Sequence, residues 1–375
     1  MNSIAEHKIF TPFTIGRVSL RHRVVMAPLT RLRSEQPGDV PGPLMAQYYE
    51  QRTSPGRLII TESAEITPEA NAYEGAPGIY SEEQVTGWST VTEAIHRKGG
   101  LCLSAALASR ASIASRSDWR ASSKCLCDRK LRHPGLHQEW PVTFPAEPGF
   151  ADSRVARICG PLSDCDHKGA GGWIRWGRSA GGGRLSPRPF FAERNQFANR
   201  CVYGGSVENR ARLLLEVVEA VTEIFSRDRV GVRLSPSGIF NGISDSNPEV
   251  IFDYVAGALN RFRLAYLHVI EPRVKGGETL REGHPPVAAA RLRKVFNGPM
   301  IAAGGFDREG AMEVLDKGDA DLVAFGRQFI ANPDLVERFR LGLPLNRYDR
   351  STFYSPGPKG YIDYATHTDL ANPFL

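Results

Sequence analysis

PMIAAGGF at 299–306 and, after a helical spacer, DLVAFGRQF at 321–329 read as strand, loop, helix, strand and loop. Met300 to Ala303 and Leu322 to Phe325 are short apolar runs without polar alternation, the pattern of strands buried on both faces of a parallel sheet. Each run ends in glycine. Gly304 and Gly305 allow a tight turn with bare N–H groups, and Gly326 with Arg327 places another N–H and a guanidinium beside them. Loops after the last two strands of a (β/α)8 barrel are the usual cradle of a phosphate. The pair therefore implies a phosphate-bearing ligand, against the simpler alternative that the glycines only serve turn geometry.

A chain of 375 residues suits one large barrel, so residues 1–375 are read as a single domain. The sequence shows neither a secretory signal pattern nor an apolar run near membrane-spanning length, and the expectation is a cytoplasmic protein without a membrane partner. The formal charge of +6 is local: residues 101–189 carry 14 Lys and Arg against 7 Asp and Glu, giving +7 there and −1 elsewhere. That stretch lacks the structured, aromatic-interleaved basic face of a nucleic-acid binder. It also holds five of the six cysteines. The spacings of Cys125, Cys127, Cys159, Cys165 and His167 match no common zinc site, and His133 and His137 are separated by Pro134 and Gly135, so no metal is expected.

KIFTPFTIGRVSL at 8–20 alternates around Gly16 and predicts a hairpin closing the barrel floor. VVMAP at 24–28 and LIIT at 58–61 are buried strands flanking a helix over 43–52. Ser81 caps a helix that ends at Lys98-Gly99-Gly100, after which a strand should begin at 101. Instead, 101–189 shows runs of Ser, Arg, Gly and Cys without clear periodicity. Order returns with a capped helix over 206–225, a strand over 230–236, a helix over 248–262 and a strand over 266–272. Six strands are countable; the missing third and fourth fall in 101–189. His268 reads as a barrel histidine and His284 as a loop residue.

MAPLTRLRS, PLMAQYYEQR, LIITES, APGIYSEEQ, FANRCVYGGSVENRARLLLEVV, VGVRLSP, YLHVIEP, IAAGGF, AFGRQFIANPDL and YDRSTFY with KGYIDY, in that order and spacing, resemble the old yellow enzyme family of FMN-dependent ene-reductases. The resemblance implies an α/β fold, a TIM barrel with an N-terminal β-hairpin cap, with FMN at its C-terminal mouth. NADH or NADPH would be the hydride donor and a small activated alkene the substrate, in a monomer or homodimer. It implies Thr30 at flavin O4 and Arg233 at N1 and O2, where a fixed cation suits the charge of the reduced ring. Pro28, Leu29 and Ser63 would line the ring, although Ala or Gly is commoner in the family where Ser63 stands. Gly304, Gly305, Gly326 and Arg327 would take the phosphate, and Tyr361 would border the substrate or be an aromatic packed on the barrel mouth.

The family's Gln-Leu-Trp-His-x-Gly-Arg motif on the third strand is missing, as is its His-Gly-Ala-Asn/His-Gly-Tyr motif on the fourth. Residues 103–113 read LSAALASRASI and 177–188 read GRSAGGGRLSPR, so the implied catalytic His/Asn pair and Tyr have no counterpart. In a shifted reading frame, codons for 107–112 can encode Trp-His-Arg-Gly-Arg, and those for 172–189 can encode much of the fourth-strand motif. A one-base change before about residue 103, compensated near 189, accounts for both. On that reading the third and fourth strands are absent or scrambled, and the chain is an inactive or non-folding relative.

Overall fold

A computed structural model describes residues 7–66, 68, 73–107, 171–175, 205–237, 245, 247–275, 278–279 and 288–371, with the backbone alone at 104–107, 171–175, 213, 275, 278–279 and 371. The cysteine and histidine spacings within 125–167, the motifs that a shifted frame can encode at 107–112 and 172–189, Cys201 and His284 lie wholly or largely outside the described residues.

Eight parallel strands close into a barrel: β1 (Val24–Met26), β2 (Leu58–Glu65), β3 (Leu101–Leu107), β4 (Gly171–Arg175), β5 (Gly231–Leu234), β6 (Tyr266–Ile270), β7 (Met300–Ala303) and β8 (Leu322–Phe325). β8 pairs with β1 through Val323 and Val24, which seals the ring. The expectation that the third and fourth strands are absent is corrected. β3 pairs with β2 from Leu58↔Leu101 onward and with β4 from Leu103↔Gly171 onward, and β4 pairs with β5 through Trp173↔Gly231. Both strands lie inside 101–189, where they belong by order. A ladder is built from backbone N–H and C=O groups, so a run as plain as LCLSAAL can occupy a slot that its side chains do not announce.

Side chains alternate between two cores. Val25, Ala27, Leu58, Ile60, Leu103, Tyr266, Ile301, Ala303, Leu322 and Ala324 fill the barrel. Val24, Met26, Ile59, Cys102, Val232, Leu267, Met300 and Val323 face the helices. Gly231 makes room inside, since a Cβ there would lie 2.5 Å from the Tyr266 ring. The hairpin Phe13–Ile15 with Val18–Leu20 plugs the floor, contributing Ile15 and Leu20 to the interior, and its turn packs on Asp228 just before β5.

The outer layer includes α1 (Pro43–Gln51), α2 (Glu82–Arg97), α3 (Val207–Ile224), α4 (Pro248–Leu259), α5 (Ala289–Leu292), α6 (Arg308–Asp316), α7 (Arg327–Ala331) and α8 (Leu335–Leu341). The expected caps are present: Ser81 forms a full capping box with Gln84, and Ser206 accepts from the Asn209 N–H. Among the described residues no helix is long and apolar enough to cross a membrane.

Candidate flavin site at the barrel mouth

Parallel strands in a closed barrel deliver all their C-terminal ends to one mouth. Pro28, Leu29 and Thr30 follow β1 there, Pro28 buried and the other two half-buried. Arg233 is the third residue of β5; it is 8 % exposed and stands in register with His268 of β6, which is fully buried. Gly304 and Gly305 follow β7, and Gly326 with Arg327 follows β8. The structure thus brings the predicted positions from β1, β5, β7 and β8 to one end of the barrel.

Ser63 reaches the same end by an irregularity. The β2–β3 register shifts between Ile60 and Ser63, and Ile59 and Ala64 both pack outward against the helices. The shift leaves Ser63 on the interior side of the strand and turns Glu62 outward, where it meets Tyr49 of α1.

The mouth fits FMN. Gly304 and Gly305 sit at φ +111° and +73°, where a side chain is strained, and a Cβ on Gly304 would lie 3.0 Å from Val274 Cγ2. A Cβ on Gly326 would lie 3.0 Å from Leu29 Cδ2, so the Leu29 side chain of the β1 turn packs against the bare backbone of the β8 loop. Arg327 adds a guanidinium at the first residue of α7, 5.9 Å from the Tyr348 ring centroid. Such loops suit a phosphate dianion, while a buried arginine at a strand end suits the electron-rich edge of a reduced ring.

Tyr361 does not line the open mouth. It is fully buried, its ring stacked 4.0 Å from that of Tyr48, with the Arg31 and Arg33 guanidinia 5.0 and 4.4 Å from its centroid. This is the packed-aromatic alternative. Its hydroxyl has no hydrogen-bond partner among the described residues, and burial pushes that hydroxyl well above its ordinary pKa.

Around Tyr361 lies a cluster that the sequence reading missed. Arg31 donates to Phe353 O at 3.0 Å, Tyr48 Oη at 3.1 Å and Gly360 O at 2.8 Å. Arg33 donates to Arg31 O, Phe353 O, Thr352 O, Lys359 O and Gly357 O. Arg52 donates to Phe329 O, Ile330 O, Tyr48 O and Tyr361 O. Buried guanidinium is tolerable only when its fork is met by acceptors, and here backbone carbonyls meet it. Arg52 is still pushed down to about 10 by burial. Glu62, fully buried, accepts from the Arg31 N–H at 3.1 Å and the Tyr49 hydroxyl at 3.3 Å, and burial pushes its carboxyl up to about 7. The available signal was a set of charges flanking apolar runs: Arg31 and Arg33 after β1, Glu62 after LIIT, Arg52 after YYEQ.

Residues 8–126 and 192–346 match the NADH:flavin oxidoreductase / NADH oxidase family. 12-Oxophytodienoate reductase 1 of Oryza sativa subsp. japonica is 38% identical over 370 residues, spanning 95% of this chain and 92% of the relative. 12-Oxophytodienoate reductase 2 of Arabidopsis thaliana is 37% identical over 380 residues, covering 95% of both chains. A structure of morphinone reductase superposes with TM-score 0.75 at 36% identity over 99% of both chains, and one holding tetrahydroNAD with TM-score 0.72 at 36% identity over 96% of this chain and 97% of that one. The chain belongs to the NADH:flavin oxidoreductase family, the old yellow enzymes: it is an FMN-dependent oxidoreductase using NADH or NADPH.

Proposed function

We propose that this chain reduces the carbon–carbon double bond of small alkenes activated by a conjugated carbonyl. The observation that carries the reading is the convergence, on one mouth, of the Thr30 turn, the buried Arg233 and two glycine-ended strands. Bound FMN would supply the hydride for the alkene β-carbon, with NADH or NADPH as its source, and a proton from solvent would complete the reduction at the α-carbon. Thr30 would donate to flavin O4, Arg233 would hold charge beside N1 and O2, and Pro28, Leu29 and Ser63 would line the ring. Gly304, Gly305, Gly326 and Arg327 would hold the phosphate. Tyr361, buried in both ring and hydroxyl, is left out of the substrate contacts. The relatives named for 12-oxophytodienoate and morphinone support a carbonyl-bearing substrate.

The test is the visible spectrum of the purified protein, followed by anaerobic NADPH and then an enone such as cyclohexenone. A yellow protein that bleaches and is reoxidised by the enone is expected. A colourless protein, or a yellow one that the enone leaves bleached, overturns the reading.

A second reading is favoured by one observation: the family match breaks between 126 and 192, in and beside the stretch whose codons can encode the missing motifs in a shifted frame. The chain would then be a frame-altered product with weakened or lost catalysis. Fresh sequencing of the coding DNA decides it, and an unshifted open frame through 101–189 removes it.

A further inference from the structure

Three buried arginines and one buried carboxyl sit directly behind the ring-facing turn. Residues 28–30 face the mouth, while Arg31 and Arg33 turn away from it to hold the C-terminal segment, with Leu32 between them at φ +57°. The side chain that grips this turn from β2 is Glu62. Its Oε2 accepts from the N–H of Arg31, the residue next to Thr30. Its Oε1 is met by the Tyr49 hydroxyl, which in turn accepts from the Glu62 N–H at 2.8 Å. Glu62 and Tyr49 thus form a closed unit joining β2, α1 and the β1 turn.

We propose that Glu62 is a positioning residue of this enzyme: through the Arg31 N–H and the Tyr49 hydroxyl it sets where Thr30 stands against the flavin, and so tunes how readily bound FMN accepts electrons. This rests on the placement of Thr30 at the ring in the functional reading above.

The charged and titratable groups facing the carboxyl are Arg31 and Arg33 from the turn, Tyr49 from α1 and Tyr361 from the C-terminal segment, with Arg52 behind Tyr48. The two tyrosines are pushed above their ordinary range by burial, and Arg52 stays cationic with a pKa of about 10. Glu62 is therefore the member of this set that changes charge near neutrality. Ionised, it accepts from both Arg31 N and Tyr49 Oη. Protonated on Oε1, it can donate to Tyr49 Oη, which ceases to donate back, and its pull on the Arg31 N–H weakens because a neutral carboxyl is the poorer acceptor.

The holoenzyme, E62Q and Y49F are compared by visible absorption maximum and FMN midpoint potential across pH 5.5 to 8.5, with FMN affinity measured alongside. The wild-type potential minus that of E62Q is expected to change with a one-proton inflection near pH 7, and the absorption maximum to move with the same inflection in the wild type only. Y49F keeps the carboxyl but loses a donor to it, so its inflection moves to higher pH. Wild-type and E62Q profiles that differ by a constant or superimpose overturn the inference. If E62Q fails to fold, an inflection in Y49F unmoved from the wild type overturns it instead. A wild-type protein that binds no FMN defeats the functional reading and this inference together, whereas one that binds FMN and reduces an enone with variant-independent profiles defeats this inference alone.

Discussion

Glu62 also has a consequence for stability whose sign follows from its surroundings. Burial raises its carboxyl from the ordinary 4.5 to about 7 in the folded chain, against the opposing pull of the Arg31 N–H. Folding therefore favours the neutral form. The stability tied to that form is fully present below about pH 4.5 and is lost as pH rises through 7, a span worth about 3 kcal/mol. E62Q, neutral at every pH and of similar shape, should lose less stability than the wild type between pH 4.5 and 8, read from urea unfolding at several pH values. Equal losses in the two proteins would remove Glu62 as the source. Nothing in LIITES distinguishes this glutamate from a solvated one at a strand end. Its burial depends on a register shift in β2 and on a tyrosine from α1, both tertiary facts. The strand-end placement of Thr30 and Arg233, by contrast, was legible, because both stand in motifs where the fold itself dictates position.

Among the elements, α7 carries Arg327 and is short, five residues, so it needs outside support. Arg52 supplies it from the end of α1, donating to Phe329 O at 2.7 Å and Ile330 O at 2.6 Å while also gripping Tyr361 O at 3.0 Å. R52A removes the fork and strands several buried carbonyls, each costing about 1 to 3 kcal/mol when left unmet. A loss of about 3 kcal/mol or more is expected by thermal unfolding, together with weaker FMN binding in a fluorescence titration. R52K keeps the charge but not the planar fork and should fall between the two proteins. Unchanged FMN affinity in an R52A protein that remains folded would separate α7 from the phosphate site. The elements themselves were mostly legible. Apolar runs ended by glycine gave β7 and β8, and Ser81 and Ser206 gave the starts of α2 and α3. β3 and β4 were not, because Leu101–Leu107 is broken by a serine and alanines, and Gly171–Arg175 opens on two glycines. Small side chains carry little of the pattern that marks a strand, although they leave its ladder intact.

Closure of the whole ring is where the structure and the frame-altered reading part most sharply. With β3 and β4 in place, each strand has two parallel neighbours and the barrel has no edge. Without them β2 and β5 would each expose a row of unpaired backbone groups and the interior around Ile60 and Tyr266 would open to water. That loss exceeds the roughly 5 to 15 kcal/mol by which a folded domain is stable. Native-state hydrogen exchange distinguishes the two cases by position. In a closed ring the laddered amides within Leu101–Leu107 and Gly171–Arg175 open only with the global transition and should be as protected as those of β7 and β8. If those two segments instead exchange within seconds while β7 and β8 remain protected, the ring is open between β2 and β5, and Arg233 on β5 loses the neighbour that holds its strand in place. Fast exchange should then coincide with loss of bound FMN, because the cation assigned to the ring edge stands on the strand that opening would release.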